Sequence, residues 1–407
     1  MKEKILKRFL KYVQIYTPSN EECEETPSSA CQFDLARALE EEMKEIGISD
    51  VYVDEHCYVY GNIPATEGLE NVPKIGFIAH LDTVSDFCTK PTAPLVHEDY
   101  NGEDIPLPAG GRTICVKDYP HLKNMKGRSI ITSDGTTILG ADDKAGIAEI
   151  MTLAEALINS DAPHGKVCIG FTPDEEIGSA AKLLDLSRFG ADFAFTLDGD
   201  IEGGIEYETF NAAAAKVTFR GVNVHPGSAT GIMVNSAVLA CEFNGMLPAN
   251  EQPRTTSGYE GFYHLVDLCG TVEKAEMKYI IRDHDREKFE ARKKKFEELA
   301  AVLNEKYGAD TVQVEISDTY YNMAEILKDH MHLVETAKKA TEEAGLTPCI
   351  KPVRGGTDGS SLSFRGLPCP NLGTGGSAYH GPYEHISLEG MEKAVEVMQN
   401  IVRLYAK

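Results

Sequence analysis

KIGFIAHLD (residues 74–82), TILGADD (137–143), VCIGFTPDEE (167–176) and FAFTLDGD (193–200) share one layout. Each is a short apolar run of strand character that leads into side chains able to hold a metal or move a proton. KIGFIA stops at His80 and TILG just before Asp142, while VCIGF runs into Glu175 and Glu176 and FAFTL stops at Asp198. As neighbouring strands running the same way, they would line one histidine and several carboxylates along a single rim. That rim, at the carboxyl ends of the strands, is where open α/β sheets bind ligands. Helical patterns alternate with these runs over about 74–200 and make the fold class α/β.

Between His80 and Asp142 the stretch 87–136, rich in Pro, Gly and polar residues, reads as a hairpin or lobe inserted at the edge of the rim. The order changes from 211. AAAAKVTFRG (212–221) reads as a strand, NSAVLACEFNGML (235–247) as a helix, FYHLVDLCGT (262–271) and AEMKYIIRD (275–283) as two strands. DREKFEARKKKFEELAAVLNEKYG (285–308) then reads as a long helix and DTVQVEIS (310–317) as a last strand. This β-α-β-β-α-β succession is the ferredoxin-like split pattern. It predicts an α+β domain over 211–320 inserted into a first domain made of 1–210 and 321–407, a division that suits 407 residues. At the N-terminus, Ile5, Leu6, Phe9, Leu10, Val13 and Tyr16 recur at helical spacing among lysines, which predicts an amphipathic helix rather than a secretory leader.

Composition excludes several function classes. Lys and Arg total 40 against 64 Asp and Glu, a formal charge of −24 that repels phosphate backbones and anionic membranes. No apolar run approaches the ~20 residues a membrane helix needs. The ten cysteines are scattered and form no C-x-x-C pair, so reduced, mostly buried thiols in a cytoplasmic protein are expected. Arg292-Lys293-Lys294-Lys295 is flanked by Glu287, Glu290, Glu297 and Glu298 and reads as a solvated helix face. Gly373-Thr374-Gly375-Gly376 lacks the spacing of a dinucleotide fingerprint.

The rim offers His80, Asp142, Glu175, Glu176 and Asp198, and His380 arrives from the C-terminal segment. Imidazole nitrogens and carboxylate oxygens suit zinc, whose catalytic sites keep one position open. Asp142 is the candidate to bridge two ions through its two oxygens. Ligation by Asp142, Glu176 and Asp198 sets three negative charges against four positive ones, and a bridging hydroxide would neutralise the site. Asp82, two residues beyond His80, can accept the far ring N–H and fix the imidazole tautomer. The adjacent Glu175 and Glu176 invite a division of labour in which one ligates and the other is a general base.

His80-x-Asp82, the Asp142-Asp143 of GADDKAG, the Glu175-Glu176 of PDEEIG, Asp198 and His380 together resemble the dizinc aminoacylase/carboxypeptidase clan of metallopeptidases. IIRDHDREKFEARK (280–293), KPVRGGTDGS (351–360) and GLPCPNLGTGG (366–376) extend the likeness over nearly the whole chain, toward the tripeptide aminopeptidases of that clan. The resemblance implies a zinc-peptidase-like catalytic domain with a mixed, mainly parallel sheet flanked by helices, and a ferredoxin-like lid in the inserted domain. By that likeness His80 and Asp198 hold one Zn2+, Glu176 and His380 the other, and Asp142 bridges. Glu175 is the base that activates a zinc-bridging hydroxide, with Asp82 behind His80 and a cis peptide between Asp142 and Asp143. His225 in NVHPG resembles the clan's oxyanion-stabilising histidine, and Arg282 and Arg354 its clamps on a peptide's free carboxylate.

The expected activity is therefore removal of the N-terminal residue from small peptides with free termini. A dipeptidase, carboxypeptidase or N-acyl-amino-acid deacylase of the same clan would carry the same metal motifs. Cobalt and manganese suit overlapping ligand sets. The small domain makes dimers in many relatives, which leaves a homodimer open.

Overall fold

A computed structural model describes residues 1–407. The strand Ile75–His80 is buried at every position because it runs parallel between Val167–Thr172 and Phe193–Gly199 with both faces covered. Such burial is why the run reads as continuously apolar rather than alternating. The full sheet has eight strands in the order 49–53, 59–63, 167–172, 75–80, 193–199, 371–373, 204–206 and 349–350. Its centre is parallel, and antiparallel pairings of 49–53 with 59–63, 59–63 with 167–172, and 204–206 with 371–373 make it mixed. Gly76 has a packing reason: a Cβ there would lie 2.5 Å from the ring of Phe189.

The helix Ala141–Ile158 is buried along nearly its whole length, packed on strands 75–80 and 193–199 and on helices Lys2–Tyr12 and Leu388–Tyr405. It approaches the strand carrying Asp198 so closely at Gly146 that a Cβ would meet the Leu197 carbonyl oxygen at 2.2 Å. Of the face its spacing predicts, Ile5, Phe9 and Val13 are buried, Leu6 and Leu10 half-buried and Tyr16, beyond the helix Lys2–Tyr12, exposed; Tyr12 is buried in addition.

TILG is not a strand. Residues 137–140 form a loop into the helix, with Gly140 at φ 76, and the N–H groups of Leu139 and Gly140 donate to the Glu384 carboxylate instead of a sheet neighbour. The strand lies earlier, at Ile130–Thr132, and pairs with Leu95–His97 and His385–Ser387 in a second, four-stranded sheet. The 87–136 stretch thus returns to the sheet through its two ends. Between them it forms a hairpin of Ile105–Leu107 with Arg112–Ile114, over a small core that includes Tyr100, Leu107, Ile114 and Leu122.

The chain divides into two compact units. The first comprises Met1–Tyr207, Glu325–Lys351 and Thr357–Lys407, and the second Glu208–Ala324 with Pro352–Gly356. In the second unit, strands 211–220, 262–270, 274–283 and 312–320 form one antiparallel sheet, and helices Ser236–Met246 and Arg286–Tyr307 alternate with them in the β-α-β-β-α-β order. Its core holds Phe219, Phe243, Tyr279, Phe289 and Phe296. Pro352–Gly356, which the sequence reading left with the first domain, joins the second unit through the Val353 N–H on the Glu208 carbonyl. Arg354 goes with it.

The basic run is not wholly the solvated face expected: Arg292, paired with Asp283 and Glu251, and Lys293, paired with Glu290 and Asp318, are largely covered, while Lys294 is exposed near Glu298. All ten cysteines are free, but only Cys57, Cys88, Cys168 and Cys369 are buried, fewer than their dispersal suggests. No helix is long and apolar enough to cross a membrane.

Candidate metal centre

The strand ends do form a rim. His80 closes its strand, Asp198 lies near the end of the next, and Glu175 and Glu176 follow the third in a tight turn. Asp142 stands at the entrance of the helix that crosses behind them, where Asp142 (φ −82, ψ 104) and Asp143 (φ −120, ψ 34) are not helical. The Asp142–Asp143 peptide is cis. His380 comes from a loop after Gly376–Ser377 and sits at φ 61, a left-handed conformation uncommon for a residue with a Cβ and found disproportionately at functional sites.

Asp142 faces two ways. Its Oδ1 is 3.0 Å from Nε2 of His80, and its Oδ2 is 3.0 Å from Nε2 of His380. On the His80 side, Oδ1 of Asp198 lies 3.6 Å from the same Nε2. On the other, Oε2 of Glu176 lies 3.1 Å from the His380 Nε2. Two donors bound ~2.0–2.2 Å from one tetrahedral zinc stand roughly 3.3–3.6 Å apart. The Asp198 gap of 3.6 Å lies within that spacing and the other three, at 3.0–3.1 Å, fall a few tenths of an ångström short of it, and Oε1 of Glu176 is buried without a hydrogen-bond partner. The donor set therefore fits two zinc-like ions. His80 with Asp142 and Glu176, and His80 with Glu175 and Asp198, each bring their ligand atoms within 4.8 Å of one another.

Electrostatics favour a cation. Burial pushes the Glu175 carboxyl well up, with the Asp198 charge adding to it, and burial next to Asp142 pushes Glu176 up to about 7. Burial likewise raises Asp198. Hydrogen bonds to Asp142 and Glu176 lift His380 to about 10, and for His80 those to Asp142, Asp198 and Asp82 overcome the opposing burial. Ionised together these carboxylates repel one another, a cost that a bound cation relieves.

Three carboxylates brace the cluster, and Asp82, expected behind the His80 ring, serves a turn instead. Asp82 is fully buried, but its carboxylate accepts the backbone N–H groups of Glu175 (2.9 Å) and Glu176 (3.2 Å). Nδ1 of His80 is nearer the Asp82 backbone oxygen (3.0 Å) than its carboxylate (3.4 Å). Asp143 accepts the His80 and Gly146 N–H groups, and Asp174 accepts from Ser28 and Gln32, bracing the turn that carries Glu175. Asp143 enters the sequence reading only as the neighbour of Asp142 in GADDKAG, and Asp174, within PDEEIG, is not singled out by it.

The remaining candidates lie in the second unit. His225 is exposed and caps a short turn, its Nδ1 accepting the Gly227 N–H. Arg354 donates to the Gly258 and Glu260 carbonyls and the Thr256 hydroxyl, over the rings of Phe210 and Phe262. Arg282 donates from Nη1 to the Arg354 carbonyl, and its Nε is buried without a partner.

The family model described as peptidase family M20/M25/M40 matches residues 134–404, and the chain belongs to that family. It is a peptidase, a hydrolase of peptide bonds. Within the family it groups with peptidase T. It is 52% identical over 406 residues to Peptidase T of Clostridium perfringens strain 13, with 100% of both chains covered. Peptidase T of Geobacillus thermodenitrificans is 51% identical over 407 residues, covering 100% of this chain and 99% of the relative. Among solved structures, aminopeptidase PepT of Bacillus cereus superposes with a TM-score of 0.80 at 26% identity, over 100% of this chain and 99% of that one.

Proposed function

We propose that this protein is a metal-dependent tripeptide aminopeptidase whose reaction takes place at the His80–Asp142–His380 cluster. The observation that carries the reading is the division of the Asp142 carboxylate between two imidazoles, each with a further carboxylate beside it. His80 and Asp198 are assigned to one ion, Glu176 and His380 to the other, and Asp142 to both. Zinc is the favoured metal, with cobalt or manganese as substitutes. Bound there, the ions would act as Lewis acids and bring the pKa of water down to ~7.

The chain's own groups do the rest. Glu175 sits among the ligands in a setting that raises its proton affinity, which suits a base that takes a proton from the attacking water and returns it to the departing amine. Asp82 holds the turn that aims both glutamates. From the second unit, which we read as a lid, His225 is assigned to the oxyanion and Arg282 and Arg354 to the substrate's free carboxylate. Likeness to relatives named Peptidase T and aminopeptidase PepT supports action at a free amino end. The −24 charge supports a small peptide rather than nucleic acid or a membrane surface as partner, and the unpaired cysteines support a cytoplasmic setting.

The test compares di-, tri- and tetrapeptides with N-acylated amino acids on metal-loaded protein. Release of the N-terminal residue from tripeptides alone is expected. Faster turnover of dipeptides or N-acyl amino acids would replace this assignment with a dipeptidase or deacylase.

A further inference from the structure

We infer that Glu384 is a positioning residue that sets Asp142 and His380 in register as a joint cation site; this rests on the assignment of those two residues as ligands. The loop before the Asp142 helix has no sheet partner, and its entrance departs from helical geometry at Asp142 and Asp143. Buried N–H groups in such a segment need acceptors. Glu384 supplies them. Its Oε2 accepts Leu139 N–H at 2.7 Å and Gly140 N–H at 2.8 Å, and its Oε1 accepts Asp142 N–H at 3.1 Å.

The side chain is buried and both of its oxygens face backbone donors, which makes it a support for the ligands rather than one of them. Glu384 also ends the short turn that begins at Gly381, the residue after His380, closed by its own N–H on the Gly381 carbonyl at 3.3 Å. One carboxylate thus ties the backbone of the shared ligand to the segment carrying its partner. The 3.0 Å separation of Asp142 Oδ2 from His380 Nε2 depends on that tie. Charge-assisted bonds to three backbone donors suit a support that must not move when the ligands do.

Glu384→Gln isolates the effect. Its single amide oxygen can keep the Leu139 and Gly140 bonds, and its NH2 group then faces the Asp142 N–H and releases it. Metal-stripped wild type and E384Q should be titrated calorimetrically with Zn2+, with the apo Tm and tripeptide kinetics measured alongside. The expected result is an apo Tm within the roughly 2–4 °C that loss of one hydrogen bond produces. Affinity for the weaker-bound ion should fall ~10–100-fold. KM should be unchanged, and kcat should be reduced at limiting metal and recovered by added metal, which a merely destabilised fold would not show.

Unchanged metal affinity in E384Q beside a wild type that binds two ions overturns the inference alone. Loss of affinity that only tracks a collapse in Tm also overturns it. A wild type that takes up fewer than two ions overturns the ligand assignment and this inference with it. If E384Q does not fold, Glu384→Asp keeps the charge but is one methylene short: weakened affinity at constant KM supports the role, and wild-type affinity overturns it.

Discussion

Oδ2 of Asp142 lies 3.0 Å from Nε2 of His380, although 238 positions separate them in the chain. The other oxygen of the same carboxylate meets His80. Loss of Asp142 should therefore disturb both halves of the cluster, whereas loss of His380 should disturb one. Elemental analysis after dialysis should find Asp142→Ala depleted of both ions and His380→Ala retaining about one. Equal retention in the two variants would argue against a shared carboxylate.

Glu175 and Glu176 are neighbours with different surroundings. Glu176 Oε2 lies 3.1 Å from His380, and Glu175 groups with His80 and Asp198. Glu175→Gln is expected to keep its metal and lose ~10²–10⁴ in kcat, the usual worth of a general base. Glu176→Gln should lose metal affinity. If Glu175→Gln also sheds an ion, Glu175 is a ligand and the base must be sought elsewhere.

Asp82 holds both glutamate N–H groups, while its backbone oxygen is the nearer partner of His80 Nδ1. Asp82→Asn should leave the imidazole tautomer anchored and loosen the turn instead. The expected cost is ~10–100-fold in metal affinity or kcat, with stability lowered by ~1–3 kcal/mol for an unsatisfied N–H. Urea titration of the apo variant together with metal titration separates the two effects.

The two arginines should differ. Arg354 also makes three donor contacts and packs over two aromatic rings, so Arg354→Ala is expected both to destabilise the protein by ~1–3 kcal/mol and to weaken the hold on the substrate carboxylate. Arg282 retains a buried, unpartnered Nε. Arg282→Met should raise KM for tripeptides ~10–100-fold with kcat little changed, as loss of a charge-assisted contact to a carboxylate would. A peptide amidated at its C-terminus should be insensitive to that substitution.

Glu149 is fully buried on the Ala141–Ile158 helix, both of its oxygens lack a hydrogen-bond partner, and burial pushes its pKa well up. A raised carboxyl pKa means the folded chain keeps a proton that the unfolded chain releases. Stability should therefore decline as pH rises above the unfolded value of ~4.3, by up to ~1.4 kcal/mol per pH unit until the folded pKa is reached. Glu149→Gln should flatten this slope in Tm measured against pH. An identical pH profile for the variant would show that the carboxyl is not carrying the proton.

The catalytic sheet was legible because its central strands are buried on both faces, so KIGFIA, VCIGF and FAFTL are continuous apolar runs that stop at polar ends. TILG looked the same and is a loop, since a run of four apolar or small residues carries no record of whether its N–H groups meet a strand or a carboxylate. Nothing near residue 139 in the chain announces Glu384. The second unit's element order was readable from periodicity, yet Pro352–Gly356 joins it through hydrogen bonds to Glu208 and Phe210, in a loop more than a hundred residues earlier.

Local order alone picked out the candidates: strand ends and the turn after one of them carry His80, Glu175, Glu176 and Asp198, because side-chain period and turn position are properties of consecutive residues. Tertiary structure decided how those groups are used. Which oxygen of Asp142 meets which histidine, and whether Asp82 serves a ring or a turn, depend on distances between segments far apart in the chain. Those distances are set by packing, which no local pattern encodes.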